Sequence, residues 1–206
     1  MCGRYQFGDD LNNAELQKII EQLNRDFAGS PQLARLKTGE VFPTDVAPAV
    51  TREEGRERFQ LMEWGFPRWN ASGVVINARV ETAAEKPMFR EAVQRRRCLI
   101  PSTGFYEWQH HEDAAAKKEK YLLRVGNESM LYMAGIYNVV RGNDGLMKTV
   151  FAILTMDANQ DVARIHDRMP VILDDRSREI WLGDKPDMEA LLQRAAETRL
   201  VLMPAA

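Results

Sequence analysis

The sequence has few of the residues that build disulfide-stapled or metal-bound folds. Its 206 residues include two cysteines, at positions 2 and 98, and three histidines. Two such cysteines make no disulfide framework, and neither a Cys-x-x-Cys pair nor a Cys/His pair stands at zinc-site spacing. We therefore expect no metal and no cofactor, and a reducing compartment suits such a chain.

Long apolar runs and an excess of one charge are also missing. No apolar run approaches the roughly 18 residues that a membrane span needs, and no secretory signal precedes the first polar residues. The formal net charge is -2, so a nucleic-acid contact would have to come from a local patch. We expect a cytoplasmic protein with no membrane partner, and nothing in the sequence indicates more than a monomer.

The hydrophobic content of 45% is enough for a core, and we predict a single domain over residues 1–206. Alternating apolar residues predict strands at 3–7, 57–64, 98–108, 121–125, 130–140, 147–155 and 200–203. Helical spacing predicts helices between Leu16 and Phe27 with Asp9 or Asp10 as the cap, from Pro87 to the arginines at 95–97, and at 179–182 and 188–195. Consecutive strands favour an α+β fold with an antiparallel sheet or barrel over an alternating βαβ fold.

The chain begins Met1-Cys2-Gly3-Arg4. Removal of the initiator Met would leave Cys2 with a free α-amine beside its thiol, groups that titrate near ~8 and ~8.5 in model compounds. Such a residue can act as a nucleophile that uses its own amine as base. It can also trap an aldehyde, because the amine forms a Schiff base and the thiol closes a five-membered thiazolidine. An incidental terminal cysteine is the alternative.

Polar residues in apolar surroundings supply further candidates. Asn77 and Arg79 follow the apolar run 74–76, where polar side chains are costly without partners. Glu107 stands between two aromatic residues as a candidate acid or base, or as an outward-facing strand residue. His166, followed by Asp167 and Arg168, is a candidate proton shuttle or a hydrogen-bonded structural histidine.

Two clusters are candidate contacts for nucleic acid. The segment 64–69, with three aromatic rings, Gly65, Pro67 and Arg68, predicts either a turn with buried rings or a platform for stacking bases. The three arginines at 95–97 suit a solvated helix end, and a phosphate contact is the second interpretation.

Five motifs together resemble one family, the SOS response-associated peptidase (SRAP) or abasic-site processing proteins. They are Met-Cys-Gly-Arg-Tyr at the start, Trp64-Gly65-Phe66, the segment 76–82 (Ile-Asn-Ala-Arg-Val-Glu-Thr), Gly104-Phe105-Tyr106-Glu107-Trp108 and the segment 165–170 (Ile-His-Asp-Arg-Met-Pro). The similarity runs in order over about residues 1 to 173.

The resemblance implies a curved antiparallel sheet or barrel with flanking helices and a positively lined groove for single-stranded DNA. It implies that Cys2 attacks the ring-opened aldehyde of an abasic site and ends as a thiazolidine crosslink, with lyase and autopeptidase reactions as side activities. Asn77 would hold the Cys2 backbone, while Glu107 and His166 would handle protons. DNA contacts would come from Arg4, Trp69, Arg79 and Arg168.

Two other classes stay open at this point. Met-Cys-Gly also begins the class II glutamine amidotransferases, whose further motifs are missing from this sequence, and glutamine hydrolysis would reveal such an N-terminal-nucleophile hydrolase. A non-covalent single-strand binding module would keep all DNA association after Cys2→Ala.

Overall fold

The computed structural model describes residues 2–8, 13–68, 71–109, 118–126, 128–142 and 145–205. The strands are β1 (Arg4–Phe7), β2 (Gly39–Val41), β3 (Val46–Glu53), β4 (Arg56–Trp64), β5 (Phe66–Pro67), β6 (Val74–Val75), β7 (Asn77–Arg79), β8 (Arg97–Ser102), β9 (Gly104–Trp108), β10 (Lys120–Val125), β11 (Leu131–Arg141), β12 (Met147–Asp157), β13 (Arg168–Pro170) and β14 (Leu200–Ala205). The helices are α1 (Ala14–Asp26), α2 (Pro31–Ala34), α3 (Val80–Ala83), α4 (Arg90–Arg95), α5 (Asp175–Leu182) and α6 (Met188–Glu197).

Two sheets carry the architecture, and the predicted α+β class is confirmed. The first sheet has five antiparallel strands in the order β14-β10-β9-β1-β2. The second has seven, in the order β11-β8-β3-β4-β12-β13, with β7 also paired to β12. Most of its pairings are antiparallel, but β12 runs parallel to β4 and to β7. The parallel pairing with β7 seats Asn77 beside Ile153.

Buried aromatic rings pack in the core. Tyr5 from the first sheet meets Trp64 from the second edge-on, with ring centroids 5.1 Å apart. Trp64 in turn stacks on Phe151 at 6.2 Å, and all three residues have an exposure of 0%. The first strand therefore enters the fold tightly packed, which fixes the position of the residues that precede it.

The cap of α1 differs from the expectation. Asn13 is the N-cap, because its side chain accepts a hydrogen bond from the backbone N–H of Leu16. The predicted caps, Asp9 and Asp10, lie outside the described residues and precede this position. Asn and Asp are about equally good capping residues, so residue type alone does not distinguish these positions.

The second predicted helix begins later and ends earlier than expected. Turns occupy residues 84–89, so α4 begins at Arg90 and not at Pro87, and Arg97 already belongs to β8. The Arg97 guanidinium donates to backbone carbonyls at the C-terminal ends of two helices, those of Val93 in α4 and Trp181 in α5. Carbonyls at a helix end have no partner within the helix and attract a cation. Arg97 is thus a structural clamp and not a solvated helix end.

The segment predicted as one strand over 98–108 is two strands that belong to different sheets. Thr103 separates β8 from β9, and the Ser102 hydroxyl donates to the Gln6 carbonyl at 3.0 Å. The break carries Glu107 into the first sheet, on its inner side.

Helix length bears on membrane association. Across the part of the chain that the structure describes, the longest helix has 13 residues, and none is long and apolar enough to cross a bilayer.

Candidate active site and nucleic-acid interface

Cys2 is completely buried, with an exposure of 0%, and one residue, Gly3, separates it from β1. Its thiol donates to the carbonyl of Arg4 at 3.5 Å, and the residue forms no disulfide. Burial raises the pKa of the Cys2 thiol, and the nearby charge of Glu107 raises it further. The resting residue is therefore a thiol and not a thiolate at neutral pH.

Asn77 holds the backbone of Cys2. Its Nδ2 donates to the Cys2 carbonyl at 2.8 Å across 75 positions of sequence. Asn77 can do so because β7 pairs in parallel with β12, in the middle of the second sheet. Asn77, which the sequence left without a local explanation, therefore links Cys2, just ahead of the first sheet, to a strand of the second sheet.

Glu107 and His166 face each other beside Cys2. The Glu107 side chain is 3% exposed, and its Oε1 lies 3.8 Å from Nε2 of His166, whose side chain is 8% exposed. The Glu107 side chain faces inward. Tyr106 pairs with Arg4, so both lie on the outer face of the sheet, and Glu107, the next residue, lies on the inner face. A carboxyl group and an imidazole thus lie side by side within electrostatic reach of the thiol.

The other ring nitrogen of His166 has two neighbours that favour opposite protonation states. The backbone N–H of Arg168 points at Nδ1 from 2.9 Å, while Oδ1 of Asp167 lies 2.8 Å from the same atom. A protonated Nδ1 would donate to Asp167, and an unprotonated one accepts from Arg168. We assign the second state to the resting protein, because a buried backbone N–H needs an acceptor whereas the Asp167 side chain is 80% exposed to water. The proton of the neutral ring is then on Nε2, facing Glu107.

Arg168 is engaged by the protein itself. Its guanidinium forms a bidentate pair with Glu81 at 2.8 and 2.9 Å, contacts Asp157 and donates to the Thr155 carbonyl at 2.8 Å. Its side chain is 8% exposed. Arg168 therefore ties α3 to β12 and β13, and a DNA phosphate would have to displace one of two carboxylates to reach it.

Arg79 and Arg4 are more accessible. Arg79 lies two residues after Asn77 on β7, so both side chains extend from the same face, and Arg79 is exposed. The Arg4 side chain is 30% exposed and extends from the outer face of β1. Both cations therefore lie near Cys2: Arg4 is two residues after it in the chain, and Arg79 is two residues after Asn77, which hydrogen-bonds to it.

Sequence reasoning missed the surroundings of Arg4. The guanidinium carbon lies 4.4 Å from the ring centroid of Phe42 and 4.9 Å from that of Trp108. Glu40 contacts Arg4 at 3.2 Å and Lys120 at 2.6 Å. Partial burial raises the pKa of Glu40, but the hydrogen bond from Lys120 and the charges of both cations outweigh it, so the pKa is lowered. Because side chains alternate along a strand, an inward Glu107 could have predicted an outward Trp108. No local sequence signal predicts that Phe42, Glu40 and Lys120 lie beside Arg4.

The aromatic segment after β4 is a turn with buried rings. Trp64 and Phe66 are 0% and 2% exposed, and the Trp64 indole donates to the Ile76 carbonyl at 3.0 Å. Gly65 has a φ of +125°, and a Cβ there would lie 2.5 Å from the Val74 side chain, so only glycine fits. The interpretation that bases stack on Trp64 or Phe66 is therefore wrong. Trp69, the predicted stacking residue, lies outside the described residues.

Comparison with known proteins agrees with this architecture. Abasic site processing protein YoqW from Bacillus subtilis (strain 168) is 33% identical over 94% of this chain and 87% of its own length. Abasic site processing protein YedK from Escherichia coli (strain K12) is 28% identical over 88% of this chain and 79% of its length. A crystal structure of a protein from Bacteroides thetaiotaomicron covers 100% of this chain and 92% of that one, with a TM-score of 0.75 and 26% identity.

The family model that matches is SOS response associated peptidase (SRAP), and the match runs over residues 1–206. The motifs that carried the resemblance are those that bring Cys2, Asn77, Glu107 and His166 together. This chain belongs to the SRAP family.

Proposed function

We propose that this protein processes abasic sites in single-stranded DNA by forming a covalent thiazolidine between Cys2 and the aldehyde of the opened sugar. The names of its relatives support the substrate, and the site supports the chemistry. The observation that carries the proposal is the 2.8 Å hydrogen bond from Asn77 to the Cys2 carbonyl, which holds an otherwise unremarkable terminal residue beside a buried carboxylate–imidazole pair.

The reaction requires that Met1 be removed, so that Cys2 carries a free α-amine. The amine attacks the aldehyde carbon and gives a carbinolamine, which loses one water to become an imine. The thiol then adds across the C=N bond, with sulfur joining carbon and the proton joining nitrogen. The product retains all atoms of both partners except that water.

The electrostatics of the site support one order of these steps. Because burial and Glu107 raise the pKa of the thiol, sulfur is a poor nucleophile in the resting protein, and the amine reacts first. Glu107 would accept a proton from the attacking amine and return one to the departing hydroxyl. The Nε2–H of His166 faces the same carboxylate at 3.8 Å and would supply or remove the second proton.

The lyase activity would follow from the same imine. An iminium withdraws electrons from the adjacent carbon, so loss of the proton there expels the 3′ phosphate by β-elimination. Thiazolidine formation consumes the imine and competes with this cleavage. Autopeptidase activity would be a route to the free Cys2 amine, in place of removal of Met1 by a separate enzyme.

DNA would be held by cations and rings around the site. Arg79 is exposed on the face that bears Asn77, and Arg4 lies between the rings of Phe42 and Trp108. Rings interleaved with a guanidinium suit single-stranded DNA, because every base offers a face for stacking. Phe42 is 38% exposed, which leaves part of its ring for such a contact.

The test is intact-mass spectrometry of the protein before and after incubation with a single-stranded oligonucleotide that carries one abasic site. We expect a starting mass without Met1 and a denaturant-stable product equal to protein plus oligonucleotide minus one water. Cys2→Ser keeps the amine, so it should give an imine that borohydride traps but no stable adduct without reductant. Full crosslinking by Cys2→Ala, or by protein that retains Met1, would refute the mechanism.

A further inference from the structure

One carboxylate of the outer sheet surface bridges two cations. Oε2 of Glu40 lies 3.2 Å from the Arg4 guanidinium, and Oε1 lies 2.6 Å from Nζ of Lys120. The strand register brings the three together, because Gln6 pairs with Glu40 on one side of β1 and Arg4 pairs with Tyr106 on the other. Lys120 pairs with Trp108 on the next strand.

The two cations are held against aromatic rings. Lys120 Nζ lies 4.4 Å from the centroid of Tyr106, and the Arg4 guanidinium lies over Phe42 and Trp108. These contacts orient both side chains, so their positions do not depend on Glu40 alone. Removing the carboxylate would leave two positive charges close together beside the Phe42 ring, which is 38% exposed.

A phosphodiester has the same recognition chemistry as the carboxylate that is present. Each offers two oxygens that share one negative charge, and each accepts charge-assisted hydrogen bonds from Arg and Lys. We infer that Arg4 and Lys120 form a backbone-phosphate subsite and that Glu40 occupies this subsite when no nucleic acid is bound. The inference rests on the proposed function only in taking the ligand to be DNA.

The consequence is selectivity against undamaged strands. Any strand must break two ion pairs before its phosphate can enter the subsite, which weakens every non-covalent complex. An abasic strand gains a covalent bond that undamaged DNA cannot form, so it tolerates this cost. Glu40 would therefore lower the occupancy of the protein on intact DNA without limiting the final yield of crosslink.

The decisive measurement is the affinity for an undamaged single-stranded oligonucleotide, by fluorescence anisotropy, as a function of salt. Glu40→Gln is compared with wild type and with Glu179→Gln. Glu179 is a matched control, because it pairs with Arg52 at 2.7 Å and its neutralisation changes the net charge equally. We expect Glu40→Gln to bind roughly 2- to 30-fold more tightly, the range that the loss of two partly exposed ion pairs allows. Its plot of log affinity against log salt should steepen by about 0.7, the value for one added phosphate contact to a single strand.

Lys120→Gln supplies the second variant. Glutamine keeps a polar chain over Tyr106 and removes the charge, so we expect it to cancel most of the gain when combined with Glu40→Gln. An affinity and slope for Glu40→Gln equal to those of Glu179→Gln, or a gain that survives Lys120→Gln, would overturn the subsite. If the wild-type protein binds undamaged DNA but never forms a crosslink with an abasic site, only the proposed function fails. The salt dependence of Glu40→Gln and Glu179→Gln would still decide the role of Glu40.

Discussion

Replacing Glu107 with glutamine would separate the chemistry from the binding. Glutamine has nearly the same shape, so the packing around a side chain that is 3% exposed changes little. It cannot accept a proton from the attacking amine. Loss of one positioned acid or base costs roughly 10²- to 10⁴-fold in rate. We expect the lower end, about 10²-fold, because His166 lies 3.8 Å away and can replace part of the function.

The affinity for DNA should change far less than the rate, since the proposed role of Glu107 is proton transfer and not contact with a phosphate. The assay is a single-turnover time course of crosslinking at saturating protein, together with a binding titration on an unreactive abasic analogue. Glu63→Gln is the control, because the Glu63 side chain is also mostly buried, at 11% exposure, and is paired with Lys148 in the other sheet. Equal losses of rate and affinity, or an unchanged rate, would refute the role assigned to Glu107.

The same variant tests the electrostatics of the thiol. A negative charge raises the pKa of a neighbouring thiol, so its removal should lower the pKa of Cys2, although burial, the larger cause, still keeps it above the ordinary value. Alkylation of Cys2 by iodoacetamide should then begin at a lower pH in Glu107→Gln than in wild type. A shift to higher pH would show that Glu107 does not act on the thiol through its charge.

Three further predictions concern stability and binding. Arg97→Met should lower the free energy of unfolding by about 2–4 kcal/mol in urea titrations, because helix-end carbonyls lose a charged donor. Arg95→Met is the control and should have little effect, because Arg95 is exposed. Arg168→Lys should destabilise the protein by about 1–3 kcal/mol, since an ammonium cannot keep the bidentate pair and the carbonyl bond together. Arg168→Gln, which removes the charge, should leave the salt slope for DNA binding at the wild-type value, and a slope shallower by about 0.7 would show that Arg168 contacts a phosphate. Partial burial raises the pKa of Asp174, but hydrogen bonds from Arg194 and from Ser177 in the helix outweigh it and lower the pKa to about 2. The contribution of Asp174 to the free energy of unfolding is therefore present above about pH 4 and is lost as the pH falls to 2. Asp174→Asn should remove this acid-sensitive contribution, about 1 kcal/mol after screening by solvent.

Local pattern was enough for much of the secondary structure. The strand at Arg4–Phe7, the apolar face of α1 and the three strands from β10 to β12 follow from short-range alternation or helical spacing, which the chain carries in itself. The candidates for the site could also be found locally, because a polar residue directly after an apolar run, such as Asn77, has no local explanation. The boundaries failed where tertiary contacts outweigh propensity, as at Arg97, whose guanidinium serves two helix ends from a strand.

What the sequence by itself determined was the set of chemical groups: a terminal cysteine, an amide, a carboxylate, an imidazole and several arginines. Only the tertiary structure decided their positions and their partners. Parallel pairing of β7 with β12 brought Asn77 to Cys2 across 75 positions. The break at Thr103 turned Glu107 inward. The register of β1, β2 and β10 placed Glu40 between two cations, and the packing of α3 on β12 buried Arg168 among carboxylates. Charge and hydrogen-bonding capacity belong to a residue type, but the partner that satisfies them depends on contacts between distant segments, which no local pattern encodes.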